Sequence, residues 1–171
     1  MTERTAARRA NLLTELVQDP LRLLSVVIAV LGLAVAGYLS YVAVTDTGQT
    51  MSCPASDQTI FGLPIDCGLV DASVYARLGP IPVAVLGFGG YLVILLVLLL
   101  ETRVPLLVEY GRLAFFGLTL FGFAFSAYLT WAEVAQIRAF CTWCVVSAVL
   151  MTVLFIIALV RLRQSLAGDT A

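Results

Sequence analysis

The sequence predicts an all-α, polytopic membrane protein, built as a bundle of four transmembrane helices. Two observations predict this class. First, 61% of the 171 residues are hydrophobic and only 12% are charged, so a soluble domain could not cover its apolar surface with polar groups. Second, the apolar residues fall into four runs, each long enough to cross the hydrocarbon core of a bilayer as a helix.

The chain begins with a segment predicted to lie at the membrane surface. Residues 1–22 place Leu12, Leu16 and Val17 at helical spacing among arginines and acidic residues, which is typical of an amphipathic helix. The first span, residues 23–44, follows directly. No small-residue cleavage site separates the two, as it would in a secretory signal peptide.

Residues 45–79 form a polar connection that is too long for a simple link between two spans. The remaining spans are residues 81–100, 106–134 and 141–160. The four-helix membrane domain as a whole covers residues 23–163, and residues 164–171 form a short tail.

The arginines predict how the spans are oriented. All ten basic residues are arginine, and only Arg77 and Arg138 flank the ends of the spans that face the long loop. Since basic residues concentrate on the cytoplasmic side, both termini are expected in the cytoplasm and the loop outside the plasma (inner) membrane. All four cysteines then share the outer face, where disulfides form and persist.

Composition also excludes classes of function. The chain has no histidine, which rules out imidazole as a base and histidine-ligated metal or haem. A net charge of -1 offers no basic surface for nucleic acid. We therefore expect neither a metal nor a nucleic-acid partner. A zinc site built from the four cysteines is an alternative that an oxidising compartment disfavours.

Two cysteine pairs are the candidate reactive groups. Cys141 and Cys144 stand at positions i and i+3 where the fourth span begins, on one helix face and close enough for a disulfide. Unpaired N–H groups in the first helical turn favour a thiolate at Cys141. Cys53 and Cys67 lie in the long loop. The alternatives are two ordinary buried cysteines in the span and a structural disulfide in the loop, worth about 3 kcal/mol.

Five features of the chain occur in a recognisable combination. They are the loop pair Cys53 and Cys67, the run CGLVDASVYA from Cys67, the run GPIPVAVLG from Gly79, the run YLTWAE from Tyr128, and CTWC from Cys141. Together they resemble the bacterial branch of the vitamin K epoxide reductase family, over residues 23–160. The resemblance implies a four-helix bundle around a quinone, capped by the outer loop with a short half-helix at residues 73–78. Many relatives carry a fused thioredoxin-like domain, and because this chain stops at Ala171 we expect that partner in trans.

The resemblance also implies a role for each cysteine. Cys144 would be the thiolate that reduces the quinone, Cys141 would exchange with the loop pair, and Cys53 and Cys67 would relay electrons. The implied protein is a membrane thiol oxidoreductase supporting disulfide formation, which takes electrons from a secreted thioredoxin-like (DsbA-like) oxidoreductase and reduces menaquinone or ubiquinone. The same relay would serve a thiol-driven quinone or vitamin K epoxide reductase. A non-catalytic, disulfide-stapled membrane scaffold is the alternative from another class.

Ser73 and the two aromatic residues near the outer face each have two possible interpretations. Ser73 resembles the family's pocket serine, whose hydroxyl lies near the quinone, or it caps a helix N-terminus together with Asp71. Tyr128 and Trp131 either wall the quinone site or belong to an aromatic belt at the membrane interface. We interpret Glu133 as an interfacial residue rather than a proton donor.

Overall fold

The structure is a computed structural model that describes residues 20–45, 53–54, 56, 58–60 and 62–168. Residues 1–19 of the expected amphipathic segment, and residues 169–171 of the tail, lie outside the described part of the chain.

Four long helices in the described part of the chain are apolar enough to cross a membrane. They are α1 (Pro20–Thr45), α2 (Val83–Leu100), α3 (Pro105–Ala132) and α4 (Thr142–Gly168). The all-α, four-span class is thus confirmed. α4 extends beyond the apolar run because the residues that follow it include arginine, leucine and glutamine, which are all good helix formers.

The four helices form a ring in which α1 and α3 each pack against both α2 and α4. Each helix contributes apolar side chains to one core, represented by Ala29, Leu98, Phe115 and Leu154. Because successive helices alternate in direction, the start of α4 lies at the same end of the bundle as the long loop. We call this the cysteine end.

Tyr91 of α2 ties three helices together near the middle of the bundle. Its ring lies so close to α1 that a Cβ built on Gly32 would stand only 2.6 Å from Tyr91 Cδ1. Only glycine leaves room for the aromatic ring at that position. The Tyr91 hydroxyl donates a hydrogen bond to the Ser147 carbonyl of α4 at 2.9 Å, which satisfies a polar group that would be costly to leave unpaired in the interior.

The opposite end of the bundle, where α1 and α3 begin, is held by two arginines. Arg22 of α1 donates to the Leu98 carbonyl of α2 through Nη2 at 2.9 Å and Nε at 3.2 Å. Arg161 of α4, which is buried, forms an ion pair at 2.9 Å with Glu101, which is partly buried. These contacts use charged groups to join the ends of different helices.

Short elements build the loop between α1 and α2. A hairpin pairs Thr59–Ile60 with Leu63–Pro64, and a second pairs Arg77–Leu78 with Ile81–Pro82. The second hairpin turns through Gly79, whose φ of 63° is the left-handed conformation that glycine adopts without strain. Between the hairpins lies a single short α-helix, Cys67–Asp71, which we call the loop helix.

The loop helix lies earlier in the chain than the half-helix expected at residues 73–78. Asp66 sets its start, because the Asp66 carboxylate accepts a hydrogen bond from the Leu69 N–H at 3.0 Å. A 3₁₀ turn, Val74–Ala76, follows. Residues 77–78 are extended because they pair across the Gly79 turn. Within the range expected for the half-helix, only the 3₁₀ turn is helical, and the α-helix of the loop lies before it.

Candidate active site at the cysteine end

The loop is fastened directly to the start of α4. The Asp66 N–H donates to the Phe140 carbonyl at 3.0 Å, and the Phe140 N–H donates to the Pro64 carbonyl at 3.0 Å. The Thr142 hydroxyl donates to the Pro54 carbonyl at 2.9 Å. These three bonds hold the two cysteine-bearing segments side by side, although many residues separate them in the sequence.

The structure brings the four predicted cysteines together. Cys53 and Cys67 form a disulfide with a Cα–Cα distance of 5.7 Å, whereas Cys141 and Cys144 are free thiols. Cys67 is 1% exposed and Cys141 is 2% exposed, and both belong to one buried cluster against which Cys53 and Cys144 pack. The two pairs are thus neighbours in space, one oxidised and one reduced.

Cys141 caps α4 rather than lying in its first turn. The Cys144 N–H donates to Cys141 Sγ at 3.3 Å, and the Val145 N–H donates to the Cys141 carbonyl at 3.0 Å. A hydrogen bond from the Cys144 thiol is the main cause that lowers the pKa of Cys141, and the N–H groups of Cys144 and Trp143 act in the same direction. Burial and the nearby Glu133 charge oppose this effect but do not outweigh it. The helix start therefore favours a thiolate at Cys141.

Glu133 lies inside the site, so its interpretation as an interfacial residue was wrong. Its side chain is 4% exposed. Its Oε2 accepts a hydrogen bond from the Cys141 N–H at 3.4 Å, and its carboxyl also interacts electrostatically with the Cys144 side chain. A single carboxyl group therefore contacts both residues of the CTWC pair.

A break in helical regularity places Glu133 there. After α3 the chain continues as a five-residue π-helical turn, Glu133–Ile137. Arg138 ends this turn in the left-handed conformation, with φ of 58°. The N–H groups of Arg138 and Ala139 both point back to the Glu133 carbonyl. Such π-helical turns occur often at functional sites, and this one carries the carboxyl to the start of α4.

A cavity of about 450 Å³ opens beside the thiols, a volume typical of small-ligand sites. All four long helices and the loop contribute to its wall, which is mainly apolar. The candidate residues on the wall are Cys67, Ser73, Glu133, Cys141 and Cys144. The cavity therefore puts sulfur atoms from both cysteine pairs in reach of one apolar ligand.

Ser73 lies on the cavity wall, as the pocket-serine reading requires, and does not act as a helix cap. Its hydroxyl donates to the Val70 carbonyl at 2.7 Å. Although Ser73 precedes the 3₁₀ turn, it makes no side-chain capping bond to that turn within the described residues. Asp71 also lines the cavity, but Asp66 is the residue that caps the loop helix.

The two aromatic candidates lie outside the cavity as the described residues define it. Tyr128 is 49% exposed and Trp131 is 53% exposed, with ring centroids 6.1 Å apart in a stacked arrangement. Half-exposed stacked rings at the end of a span fit the alternative of an interfacial belt.

Sequence reasoning missed Tyr91 and Ser147, which line the cavity as a hydrogen-bonded pair. The sequence did contain a signal for Tyr91, because a tyrosine in the middle of an apolar span must find a hydrogen-bond partner for its hydroxyl. The sequence does not show which residue of another helix supplies that partner.

Four membrane spans, a loop disulfide and a second thiol pair on a shared apolar cavity define a membrane protein of the thiol oxidoreductase class. The profile of the vitamin K epoxide reductase family matches residues 23–159, and the chain belongs to this family. Proteins of this family are oxidoreductases that use quinones and generally work with thioredoxin-like partners.

The residues of the cavity fit a quinone. Its wall is mainly apolar, which suits a quinone ring with an isoprenoid tail, and the free thiols of Cys141 and Cys144 border it. Within the described part of the chain, no group of three or more cysteine or acidic side chains could hold a metal ion.

Proposed function

We propose that the protein is a membrane thiol oxidoreductase that supports disulfide formation, taking electrons from a secreted thioredoxin-like protein and passing them to a lipid quinone. One observation carries this proposal. The oxidised loop pair and the reduced CTWC pair share a buried cluster on the wall of a single apolar cavity. A structural disulfide alone would not require a second thiol pair beside it.

The relay proceeds by two thiol–disulfide exchanges. A thiolate of the partner attacks Cys53, the Cys53–Cys67 bond breaks, and the partner leaves as a disulfide after its second thiol attacks. The loop dithiol then reduces a Cys141–Cys144 disulfide in the same way, through a mixed disulfide between Cys67 and Cys141. Each exchange forms one S–S bond and breaks one, and each moves two electrons with their two protons.

The last step oxidises the CTWC pair. The quinone serves as the acceptor of two electrons and two protons. Cys144, beside the cavity, supplies the sulfur that reacts with the quinone. Cys141 then forms the S–S bond with Cys144. The pKa of Cys141 is lowered mainly by the Cys144 thiol. The pairing in the structure, with the loop oxidised and the CTWC pair reduced, corresponds to the state just before this step.

The assignment of Cys67 as the inner loop thiol rests on burial. Cys67 is buried in the cluster with Cys141, whereas Cys53 is only partly buried. In a Cys53→Ala, Cys144→Ala double variant we expect a Cys67–Cys141 disulfide to accumulate, because neither resolving thiol remains. Mass spectrometry of disulfide-linked peptides measures how much of this disulfide has formed. The mirror variant, with Cys67→Ala in place of Cys53→Ala, should leave its thiols mostly free, and equal linking in both would refute the order.

The arginine distribution supports a cysteine end on the extracytoplasmic side. Cysteine substituted at Ser56, an exposed loop residue, should react with an impermeant thiol reagent in intact cells. Cysteine substituted at Thr102, exposed in the turn between α2 and α3, should not react until the cells are opened. The reverse pattern would place the native cysteines in a reducing compartment.

The decisive experiment measures quinone reduction by purified protein supplied with a small dithiol. Cys144→Ala should abolish it, whereas a disulfide-stapled scaffold would show no quinone reduction even in the wild type. Replacing the quinone by a quinone epoxide in the same assay tests the related epoxide-reductase activity. Persistent quinone reduction by Cys144→Ala would overturn the assignment of the reacting sulfur.

A further inference from the structure

Oxidation of the CTWC pair requires a group that accepts the thiol proton of Cys144, and the two sulfur atoms of the pair do not provide one. Cys144 must lose its thiol proton before its sulfur can attack, since the thiolate is the nucleophile. Two groups interact with the Cys144 side chain, the Cys141 sulfur and the Glu133 carboxyl, and its single S–H proton can be donated to only one of them at a time. Cys141 is itself needed as a thiolate to form the S–S bond, which leaves the carboxyl as the available acceptor.

The other ionisable groups around Glu133 are less suited to this task. Among the described residues lining the cavity, Asp71 comes from the loop helix, Tyr75 from the 3₁₀ turn and Tyr91 from α2. Asp71 is exposed, and the Tyr91 hydroxyl is engaged with Ser147. Arg138, on the same turn as Glu133, is exposed to solvent.

The position of Glu133 is fixed from two sides. Its backbone carbonyl accepts the N–H groups that close the π-helical turn, and its Oε2 accepts the Cys141 N–H. The carboxyl group thus lies beside the CTWC pair at the border of the cavity. A general base for the Cys144 thiol would have to lie in such a position.

We propose that Glu133 is a catalytic base that accepts the Cys144 thiol proton and returns it to the reduced quinone. The inference rests on the proposed function. When the Cys144 S–H bond breaks, its proton passes to the Glu133 carboxylate. The Cys141–Cys144 S–S bond then forms, two electrons leave for the quinone, and the Glu133 proton follows. The second proton comes from water, which had received the proton of Cys141.

The first test needs no quinone. The infrared S–H stretching band of reduced protein should contain a low-frequency component from the Cys144 thiol bonded to a carboxylate. Cys144→Ala should remove this component. Glu133→Gln should shift it to higher frequency, because an amide oxygen is a weaker acceptor than a carboxylate. A band unchanged by Glu133→Gln would overturn the proposal.

The second test is the pH dependence of quinone reduction by dithiol-reduced protein. Wild-type rates should rise with pH to a plateau once the carboxyl is ionised. Glu133→Gln should be about 100-fold slower at neutral pH, at the low end for losing a general base. Its rate should keep rising about tenfold per pH unit, because hydroxide must now generate the thiolate. A plateau at the wild-type rate in this variant would contradict the role of Glu133.

Two further variants guard against a structural artefact. Glu101→Gln removes the partly buried carboxyl at the opposite end of the bundle and should keep the wild-type shape of the pH profile. Glu133→Asp keeps an ionisable group, so it should retain a plateau at a lower rate even if Glu133→Gln fails to fold. A plateau missing from Glu133→Asp would refute the proposal.

Loss of wild-type quinone reduction, or its persistence in Cys144→Ala, would instead refute the proposed function.

Discussion

The two ends of the bundle use their polar groups differently. At the opposite end, the Arg22 guanidinium binds the Leu98 carbonyl and Arg161 pairs with Glu101, so charged groups join one helix to another. At the cysteine end, a buried carboxyl contacts two thiols beside a cavity. The charged groups of the first end bind fixed partners on other helices, whereas the carboxyl of the second end borders space for a ligand.

The backbone differs between the ends in the same way. The connection at the opposite end is short, with the N–H groups of Arg103 and Val104 both bonded to the Leu100 carbonyl. The cysteine end contains a π-helical turn, a left-handed arginine and two-residue strands. Irregular backbone at functional sites costs stability that regular packing elsewhere must offset. The difference supports the proposal that the cysteine end performs the chemistry, while the contacts of the opposite end stabilise the fold.

The largest effect should come from opening the loop disulfide. Cys53→Ala should lose electron transfer from a protein dithiol, yet keep quinone reduction driven by a small dithiol that reaches Cys141 directly. Both activities are measured by the absorbance change of a short-chain quinone. Equal loss of both, with stability reduced by about 3 kcal/mol, would instead make the loop disulfide a structural staple and remove the contrast between the ends.

Breaking the ion pair at the opposite end should affect stability rather than chemistry. Glu101→Gln leaves the Arg161 charge buried without its anion, so we expect a loss of about 3 kcal/mol in the free energy of unfolding. Denaturant unfolding in detergent measures this, with quinone reduction per folded molecule measured alongside. The matched control adds Arg161→Met to Glu101→Gln, which should recover much of the loss because no unpaired charge remains. A drop in turnover per folded molecule would show that the two ends are coupled.

A smaller effect tests the middle of the bundle. In Gly32→Ala the new methyl group would overlap the ring of Tyr91, and overpacking of this kind costs about 2 kcal/mol. Displacement of Tyr91 should also weaken quinone binding, because Tyr91 lines the cavity. Gly89→Ala on α2 is the control, since a Cβ there meets no atom within 4 Å. An equally stable Gly32→Ala protein would mean that Tyr91 moves freely.

The smallest change concerns the titration of Cys141. The main cause that lowers the pKa of Cys141 is the hydrogen bond from the Cys144 thiol. Cys144→Ala removes that donor and should therefore move the thiolate titration of Cys141 to higher pH, as followed by ultraviolet absorbance. Cys144→Ser keeps a donor and should move it less. An unchanged midpoint in Cys144→Ala would mean that the N–H groups of the helix start, rather than the neighbouring thiol, control the charge of Cys141.

Several features could be predicted from residues near one another in the sequence. Apolar runs of sufficient length determine where the spans lie, because each helix satisfies its own backbone in lipid. The spacing of Cys141 and Cys144 already places both side chains on one side of the start of α4. The family match over residues 23–159 agrees with the motifs that were visible in the sequence.

The tertiary structure decided the positions of groups that meet only through packing. Glu133 sits at the end of a span and resembles an interfacial charge, yet the π-helical turn carries it to the thiols. Tyr128 and Trp131 are aromatic, as residues of a quinone site often are, but both side chains are exposed. The loop helix starts at Cys67 because the Asp66 carboxylate caps it and the Asp66 N–H is anchored to Phe140.

The sequence by itself thus determined the membrane class, the four spans and the redox-active residue types, because these depend on composition and on local helix geometry. Only the tertiary structure decided which carboxyl lies beside the thiols, which aromatic residue lines the cavity and how the loop meets α4. Those outcomes depend on contacts between segments distant in the chain, such as Pro64 with Phe140 and Glu133 with Cys141. Local propensity does not encode such contacts, since they form only when the helices have packed.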